Sequence, residues 1–226
     1  MVVDNLTVHS FQLPVNMDPG HISVEIYEPS KVKAALTIAH GAGTNMHHSF
    51  LKSLSQEFAR HDIMTVRFNF PYMEKGRKMP DRYPVASKAI RAVLEEIHQR
   101  YPHLPLFAGG KSFGGRMSSQ TLAETPLSYI HGVVFFGFPL HPANQPSLNR
   151  ADHLNDVAVP MLFLQGTRDA LADNDLIYQV CERLPLATLI RIEGADHSFN
   201  KGKAAILQSL CSHTVDWLKR TLIANG

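Results

Sequence analysis

The sequence predicts an α/β fold, a doubly wound and mostly parallel sheet of eight strands without a cap domain. Short apolar runs without polar alternation recur along the 226 residues, and such runs are typical of parallel strands that are buried on both faces. Stretches with helical spacing of apolar residues alternate with these runs, which indicates βαβ units. Only 23 residues, 137–159, separate two of the later strand candidates, which is too few for a cap domain.

The chain opens with two β-branched, partly alternating segments, residues 6–15 and 21–27, around an Asp-Pro-Gly turn at 18–20. They predict an antiparallel hairpin. The further candidate strands are residues 34–39, 63–70, 104–108, 132–136, 160–164 and 188–192. Apolar residues at helical spacing predict helices around residues 50–58, 86–97, 116–124, 176–184 and 206–222.

Length and composition favour one globular unit. A chain of this length buries one core and is short for two, so we expect a single domain over residues 1–226. Apolar residues make up 44% and charged residues 19%, which argues against disorder. The net charge of +2 indicates neither a nucleic-acid nor a membrane partner.

The termini and the cysteines bear on location. The first residues lack the pattern of a signal peptide, and no run approaches the ~18 apolar residues of a membrane span. Cys181 and Cys211 each lie in a helical apolar pattern, where buried thiols in a reducing compartment are expected. We therefore expect a cytoplasmic location.

The central motif is Gly110-Lys111-Ser112-Phe113-Gly114, which fits G-x-S-x-G. This pattern is typical of a nucleophile elbow, a strained strand-to-helix turn that exposes a serine hydroxyl. Glycines on either side let the strand and helix approach closely. Because an apolar run precedes the motif and a helical pattern follows it, Ser112 is the predicted nucleophile.

A serine nucleophile needs a base and a carboxylate that orients the base. Thirteen histidines are present, so the base has to be chosen by its position relative to the strands. His197 follows the last candidate strand, and Asp169 follows the strand before it, at the sheet edge where open α/β sheets place their sites. We assign them as base and orienting acid. Asp173 and Asp175 are better explained by a capping or helix-dipole role at the start of the next helix. Asp196 is adjacent in sequence to His197, and such a neighbouring side chain usually points elsewhere.

Acyl transfer also needs donors for the oxyanion. The predicted donors are the N–H of Phe113, after the nucleophile, and that of Ala42 in the loop after the third strand, with Gly41 as the alternative. Loop 69–82 leaves a strand at the same edge and is rich in cations, so Tyr72 is a candidate substrate-binding residue. We predict no metal site, since His47, His48 and His141 have no third ligand at a spacing typical of metal binding.

These motifs resemble the α/β-hydrolase superfamily across essentially the whole chain: the elbow, the Gly-Thr-Arg-Asp segment at 166–169 and the Gly-Ala-Asp-His segment at 194–197. The elbow with its following Gly115 and Arg116, together with Phe-Pro-Tyr at 70–72 and Pro-Asp at 80–81, resembles a small subfamily related to dienelactone hydrolases. That subfamily includes bacterial hydrolases, animal testis-expressed proteins and chromatin-complex proteins. Dienelactone hydrolase uses a cysteine where this chain has Ser112, so the resemblance does not transfer its substrate.

The expected function is that of a serine hydrolase, a carboxylesterase or thioesterase without a cofactor that acts on a small-molecule acyl substrate through an acyl-serine intermediate. A peptidase or acyltransferase would use the same three residues. A non-catalytic interaction scaffold with a hydrolase fold is the alternative from another class.

Overall fold

The computed structural model describes residues 6–199 and 202–224. Its sheet has eight strands. They are β1 Thr7–Pro14, β2 His21–Glu28, β3 Ala34–Thr37, β4 Ile63–Phe68, β5 Leu106–Lys111, β6 Ile130–Phe136, β7 Met161–Gly166 and β8 Ala187–Ile192. Their order across the sheet is β1-β2-β4-β3-β5-β6-β7-β8.

The sheet is mostly parallel. β2 pairs antiparallel with both β1 and β4, whereas the five pairings from β4 to β8 are parallel. The predicted eight-stranded sheet and its opening hairpin are thereby confirmed.

Six helices accompany the sheet in the described part of the chain. They are α1 Ser49–Ala59, α2 Pro71–Glu74, α3 Tyr83–Arg100, α4 Phe113–Glu124, α5 Asn174–Arg183 and α6 Lys203–Ala224. Residues of α1 and α6 share one apolar cluster, and those of α3, α4 and α5 share another. No helix among the described residues is both long and apolar enough to cross a membrane.

The buried strands explain why the helices divide between two faces. In β6, Val133 and Phe135 belong to the cluster under α3, α4 and α5, whereas Val134 and Phe136 belong to the cluster under α1 and α6. Successive side chains of a strand point to opposite faces, so a continuous apolar run can fill two cores at once.

The structure differs from the predicted boundaries after β4. We predicted a strand to residue 70, but β4 ends at Phe68 and the short helix α2 follows. The Phe70 N–H donates to the ring of His40 instead of a neighbouring strand, and Pro71 has no N–H to offer. Helix α2 was not predicted.

The segment between β6 and β7 contains one 3₁₀ helix, Asn149–Asp156, which the sequence analysis also did not predict. It is held to the body of the protein: Ala151 and Leu154 are buried, and the His153 ring makes a 2.8 Å hydrogen bond with the Ser119 hydroxyl of α4. This segment therefore lies against α4.

Candidate active site

Ser112 occupies the turn between β5 and α4 with φ 51° and ψ −117°. A non-glycine residue rarely adopts this conformation, so surrounding contacts must enforce it. A Cβ added at Gly110 would lie 2.6 Å from the Gly115 nitrogen, and one at Gly114 would lie 2.3 Å from the Ala39 oxygen. Strand, turn and helix thus touch through their backbones, and the predicted elbow geometry is present.

The three residues predicted as nucleophile, base and acid form one hydrogen-bonded chain. Ser112 Oγ lies 2.8 Å from His197 Nε2, and His197 Nδ1 lies 2.7 Å from Asp169 Oδ2. Because the carboxylate can only accept, Nδ1 carries the proton and Nε2 is free to accept the serine proton. The side chain of Asp169 is fully buried, whereas that of His197 is 20% exposed.

Further contacts fix the Asp169 carboxylate. Its Oδ1 accepts the Leu171 N–H at 2.8 Å, and its Oδ2 accepts Nε2 of Gln165 at 2.6 Å. The Gln165 amide is itself oriented, since its Oε1 accepts the Phe138 N–H at 2.9 Å. The sequence analysis missed Gln165. The available signal was a polar residue within the otherwise apolar strand β7, four positions before Asp169.

The other carboxylates considered as the acid have different placements. Asp173 is the N-cap of α5, and its side chain accepts the N–H groups of Asp175 and Leu176. Asp175 lies in the first turn of that helix. Asp196 accepts the Ser198 N–H at 2.9 Å. Among the four candidates, the bond to the His197 ring is made by Asp169.

The loop after β3 is organised around the carbonyl of Gly41. Three side-chain donors reach this oxygen: His40 Nδ1 at 2.9 Å, Thr44 Oγ1 at 2.9 Å and the Tyr72 hydroxyl at 3.4 Å. His40 accepts the Phe70 N–H on Nε2 at 3.1 Å, which fixes its Nδ1–H tautomer. Burial lowers the pKa of His40 to about 4, so the ring stays neutral at physiological pH.

This arrangement orients the next peptide N–H. The C=O of Gly41 and the N–H of Ala42 belong to one peptide unit, in which they point in opposite directions when the bond is trans. With the carbonyl held on the side of His40 and Tyr72, the Ala42 N–H faces away from them. Both Gly41 and Ala42 line the cleft beside Ser112.

Tyr72 does not lie where a substrate contact would require. Its side chain is fully buried, because its ring packs against those of His40 and Phe70, with centroids at 5.7 and 6.4 Å. Burial raises its pKa to about 12. The cleft lining includes no residue of loop 69–82. The predicted substrate contact by Tyr72 is therefore replaced by a contact to the backbone behind the cleft.

The cleft in front of Ser112 has a volume of about 370 Å³. Its apolar wall includes Phe50, Leu51 and Leu171, and its polar wall includes Thr44 and Ser198. No lining residue comes from the segment between β6 and β7. The described residues contain no group of three His, Cys, Asp or Glu side chains that could hold a metal ion.

Lys111, the residue before the nucleophile, also reaches the site. Its Nζ donates to the backbone carbonyl of His197 at 2.5 Å and lies 5.2 Å from the ring centre of Phe199. Desolvation lowers the pKa of Lys111 to about 8, against the opposing effect of Asp169 and Asp196. The sequence analysis gave this lysine no role.

Known proteins of similar sequence and structure include hydrolases. The monoglyceride lipase of Mus musculus is 24% identical, and the alignment covers 94% of this chain and 91% of the lipase. An α/β serine hydrolase without a lid from Xanthomonas campestris has a TM-score of 0.73 at 22% identity, with 92% and 95% of the two chains covered. Dienelactone hydrolase from Anabaena variabilis has a TM-score of 0.76 at 18% identity, with 95% and 98% covered.

The structural likenesses, at such low identity, establish the fold alone. The sequence comparison goes further, because a family model described as an alpha/beta hydrolase domain matches residues 32–218, most of the chain. With its eight-stranded sheet and its elbow serine at the carboxyl end of β5, the chain belongs to the alpha/beta hydrolase family.

Proposed function

We propose that the protein is a serine hydrolase that cleaves esters or thioesters of small acyl groups through an acyl-Ser112 intermediate. The observation that carries this proposal is the hydrogen-bonded chain from Ser112 through His197 to Asp169, at 2.8 and 2.7 Å. A serine hydroxyl becomes a useful nucleophile when a base is placed to take its proton, and the buried carboxylate stabilises the imidazolium that results.

In the first step, Ser112 Oγ attacks the acyl carbon while His197 Nε2 takes the hydroxyl proton. The carbonyl oxygen gains negative charge, and the N–H groups of Ala42 and Phe113 are the proposed donors to it. Collapse of this intermediate expels the alcohol or thiol, to which His197 returns the proton. Water then attacks the acyl-serine with the same assistance, and the acid product leaves.

The donors are supported by backbone geometry. Phe113 is the first residue of α4, so its N–H has no partner within the helix and the positive end of the helix dipole lies beside it. The three side-chain donors on Gly41 hold the Ala42 peptide before any substrate arrives. Donors fixed in advance need no reorganisation when charge develops.

Substrate size follows from the cleft. Its volume of about 370 Å³ is at the lower end of ligand sites, and the β6–β7 segment contributes no wall to it. We propose short acyl groups, and a place in the subfamily related to dienelactone hydrolases and testis-expressed proteins. The serine at position 112 separates the chain from the cysteine-dependent chemistry that this subfamily name implies.

A fluorophosphonate probe tests the proposal directly. An activated serine beside oxyanion donors should be labelled, and mass spectrometry should place the adduct on Ser112, with no labelling of Ser112→Ala. Ser198→Ala is a matched control, because Ser198 lines the same cleft without a histidine partner among the described bonds. A wild-type protein that remains unlabelled would instead favour a non-catalytic scaffold.

A further inference from the structure

We propose that Lys111 is a positioning residue that fixes the backbone of His197 so that its ring reaches Ser112 and Asp169 together, an inference that rests on the proposed serine chemistry. Lys111 is the last residue of β5, and its aliphatic stem lies beside Gly41 at the cleft. Its ammonium instead reaches the loop after β8. It therefore ties the strand that carries the nucleophile to the loop that carries the base.

The hydrogen bond from Lys111 is made to the proposed base itself. The 2.5 Å hydrogen bond ends on the carbonyl of His197, not on a neighbouring residue. Apart from the two bonds of the imidazole ring, it is the hydrogen bond that joins His197 to the rest of the described chain. Nearby loop bonds, such as Arg168 N–H to the Ala195 carbonyl at 2.9 Å, hold the backbone two residues away.

The surroundings of the ammonium are shaped to admit it. Its Nζ faces the ring of Phe199, which stacks on the cleft residue Phe50 with centroids 5.8 Å apart. Gly137 borders the same space, where an added Cβ would be 3.2 Å from Nζ and 3.5 Å from both His197 Nδ1 and the Phe199 ring. A side chain at position 137 would thus crowd both the Lys111 ammonium and the His197 ring.

The placement of Lys111 is unusual for a lysine. Lysine side chains normally extend their charged end into water, whereas the Lys111 side chain is only partly exposed, lines the cleft beside Ser112 and donates to the backbone of the base. Because desolvation lowers its pKa, the charged form is less favourable in the folded protein than in water. An ammonium held at the site in this way points to a role in the reaction.

Lys111→Met separates positioning from structural support. The variant keeps the length of the side chain and removes the charge and the donor. We expect kcat for p-nitrophenyl acetate to fall at least tenfold with KM within twofold, and fluorophosphonate labelling to slow equally. The melting temperature at pH 7 should stay the same or rise. Lys88→Met, an exposed residue of α3, is the control and should change none of these.

The pH dependence provides the second measurement. The charged groups that raise the pKa of Lys111 against desolvation are Asp169 and Asp196, and the ammonium donates to the backbone carbonyl of the titratable His197. Loss of the Lys111 proton leaves a neutral amine, which donates more weakly to the His197 carbonyl than the ammonium does, so wild-type kcat should fall as the pH rises through about 8. Lys111→Arg keeps a charged donor at all these pH values, so its decline should move to higher pH.

The outcomes separate cleanly. Unchanged kcat in Lys111→Met, a lowered melting temperature in that variant, failure of that variant to fold, or the same alkaline decline in Lys111→Arg would each overturn the positioning role. Wild-type protein that the fluorophosphonate does not label would overturn the proposed serine chemistry instead. Labelling of wild type with the expected pair of variant results would support both.

Discussion

Replacing Asp169 by asparagine should nearly abolish turnover while leaving the protein folded. The carboxylate accepts three hydrogen bonds, from His197 and Gln165 on Oδ2 and from Leu171 on Oδ1. An amide in its place has one oxygen and one NH₂ group. If the oxygen takes the Oδ1 position, the NH₂ faces His197 Nδ1 and selects the tautomer that places a proton on Nε2, where the serine proton should go.

The opposite orientation of the amide is also unfavourable. With its oxygen toward His197, the NH₂ would face the N–H of Leu171, which leaves a buried donor unpaired. In the first orientation the NH₂ would also face the Gln165 NH₂ group, and Gln165 cannot turn over because its own oxygen accepts the Phe138 N–H. Leaving one buried donor unpaired costs about 1–3 kcal/mol, and the melting temperature should fall by about 2–4 °C for each kcal/mol in a chain of this size.

The larger effect is on the reaction. Converting a triad carboxylate to its amide lowers turnover by about 10⁴, equivalent to ~5.4 kcal/mol of transition-state stabilisation. We expect kcat with p-nitrophenyl acetate to fall by that order, with KM changed little. Fluorophosphonate inactivation, followed as a rate, should slow in parallel because it uses the same base.

Asp173→Asn is the matched control. Asparagine caps a helix about as well as aspartate, so this variant should retain wild-type turnover and stability within ~0.5 kcal/mol. Asp196→Asn should also keep the His197 tautomer. The reasoning is refuted if Asp169→Asn retains near-normal turnover, most directly if Asp196→Asn or Asp173→Asn abolishes it.

Three further predictions follow from the same geometry. Tyr72→Phe removes one donor from the Gly41 carbonyl, so kcat should fall about tenfold with KM within twofold. Tyr83→Phe removes a hydroxyl bonded to the Gln120 carbonyl at 3.1 Å and should leave both constants unchanged; equal effects of the two variants would contradict the role of Tyr72 in holding the Gly41 carbonyl. Catalytic efficiency should stop rising beyond short acyl esters, because a cleft of about 370 Å³ has room for few methylenes, each of which contributes ~0.8 kcal/mol when buried; a steady increase up to dodecanoyl esters would reveal an overlooked groove. Ser112→Gly should abolish activity and raise the melting temperature, since it relieves ~1–3 kcal/mol of backbone strain; a lower melting temperature would show that φ 51° is not strained.

The sequence was sufficient to predict the sheet and to place Ser112, Asp169 and His197 at one edge of it. Each of these residues lies between one and five positions after the end of an apolar strand, and parallel strands bring their carboxyl ends to one edge. Local pattern and chain order therefore fix their neighbourhood before any tertiary detail is known. The same logic placed Ala42 at the cleft.

The supporting contacts could not be predicted in this way. The Gly41 carbonyl receives its donors from Thr44, three positions away, and from Tyr72, thirty-one positions away. Whether Tyr72 points into the cleft or behind it depends on the packing of its ring against His40 and Phe70, and loop composition does not determine that packing. Lys111 likewise gains its role from a carbonyl eighty-six positions away.

The backbone contacts at the elbow also limit how this protein can vary. A Cβ at Gly110 or Gly114 would meet backbone atoms at 2.6 and 2.3 Å, and one at Gly166 would lie 2.4 Å from the Ala195 oxygen. Side chains can repack, but two backbones in contact cannot separate without moving a strand or a helix. A saturation library selected only for soluble expression should therefore lose nearly every substitution at these three glycines. Loss of substitutions at these glycines would show that they are needed for folding. A residue needed for catalysis alone, such as Ser112, should instead tolerate substitution in that selection and lose only activity.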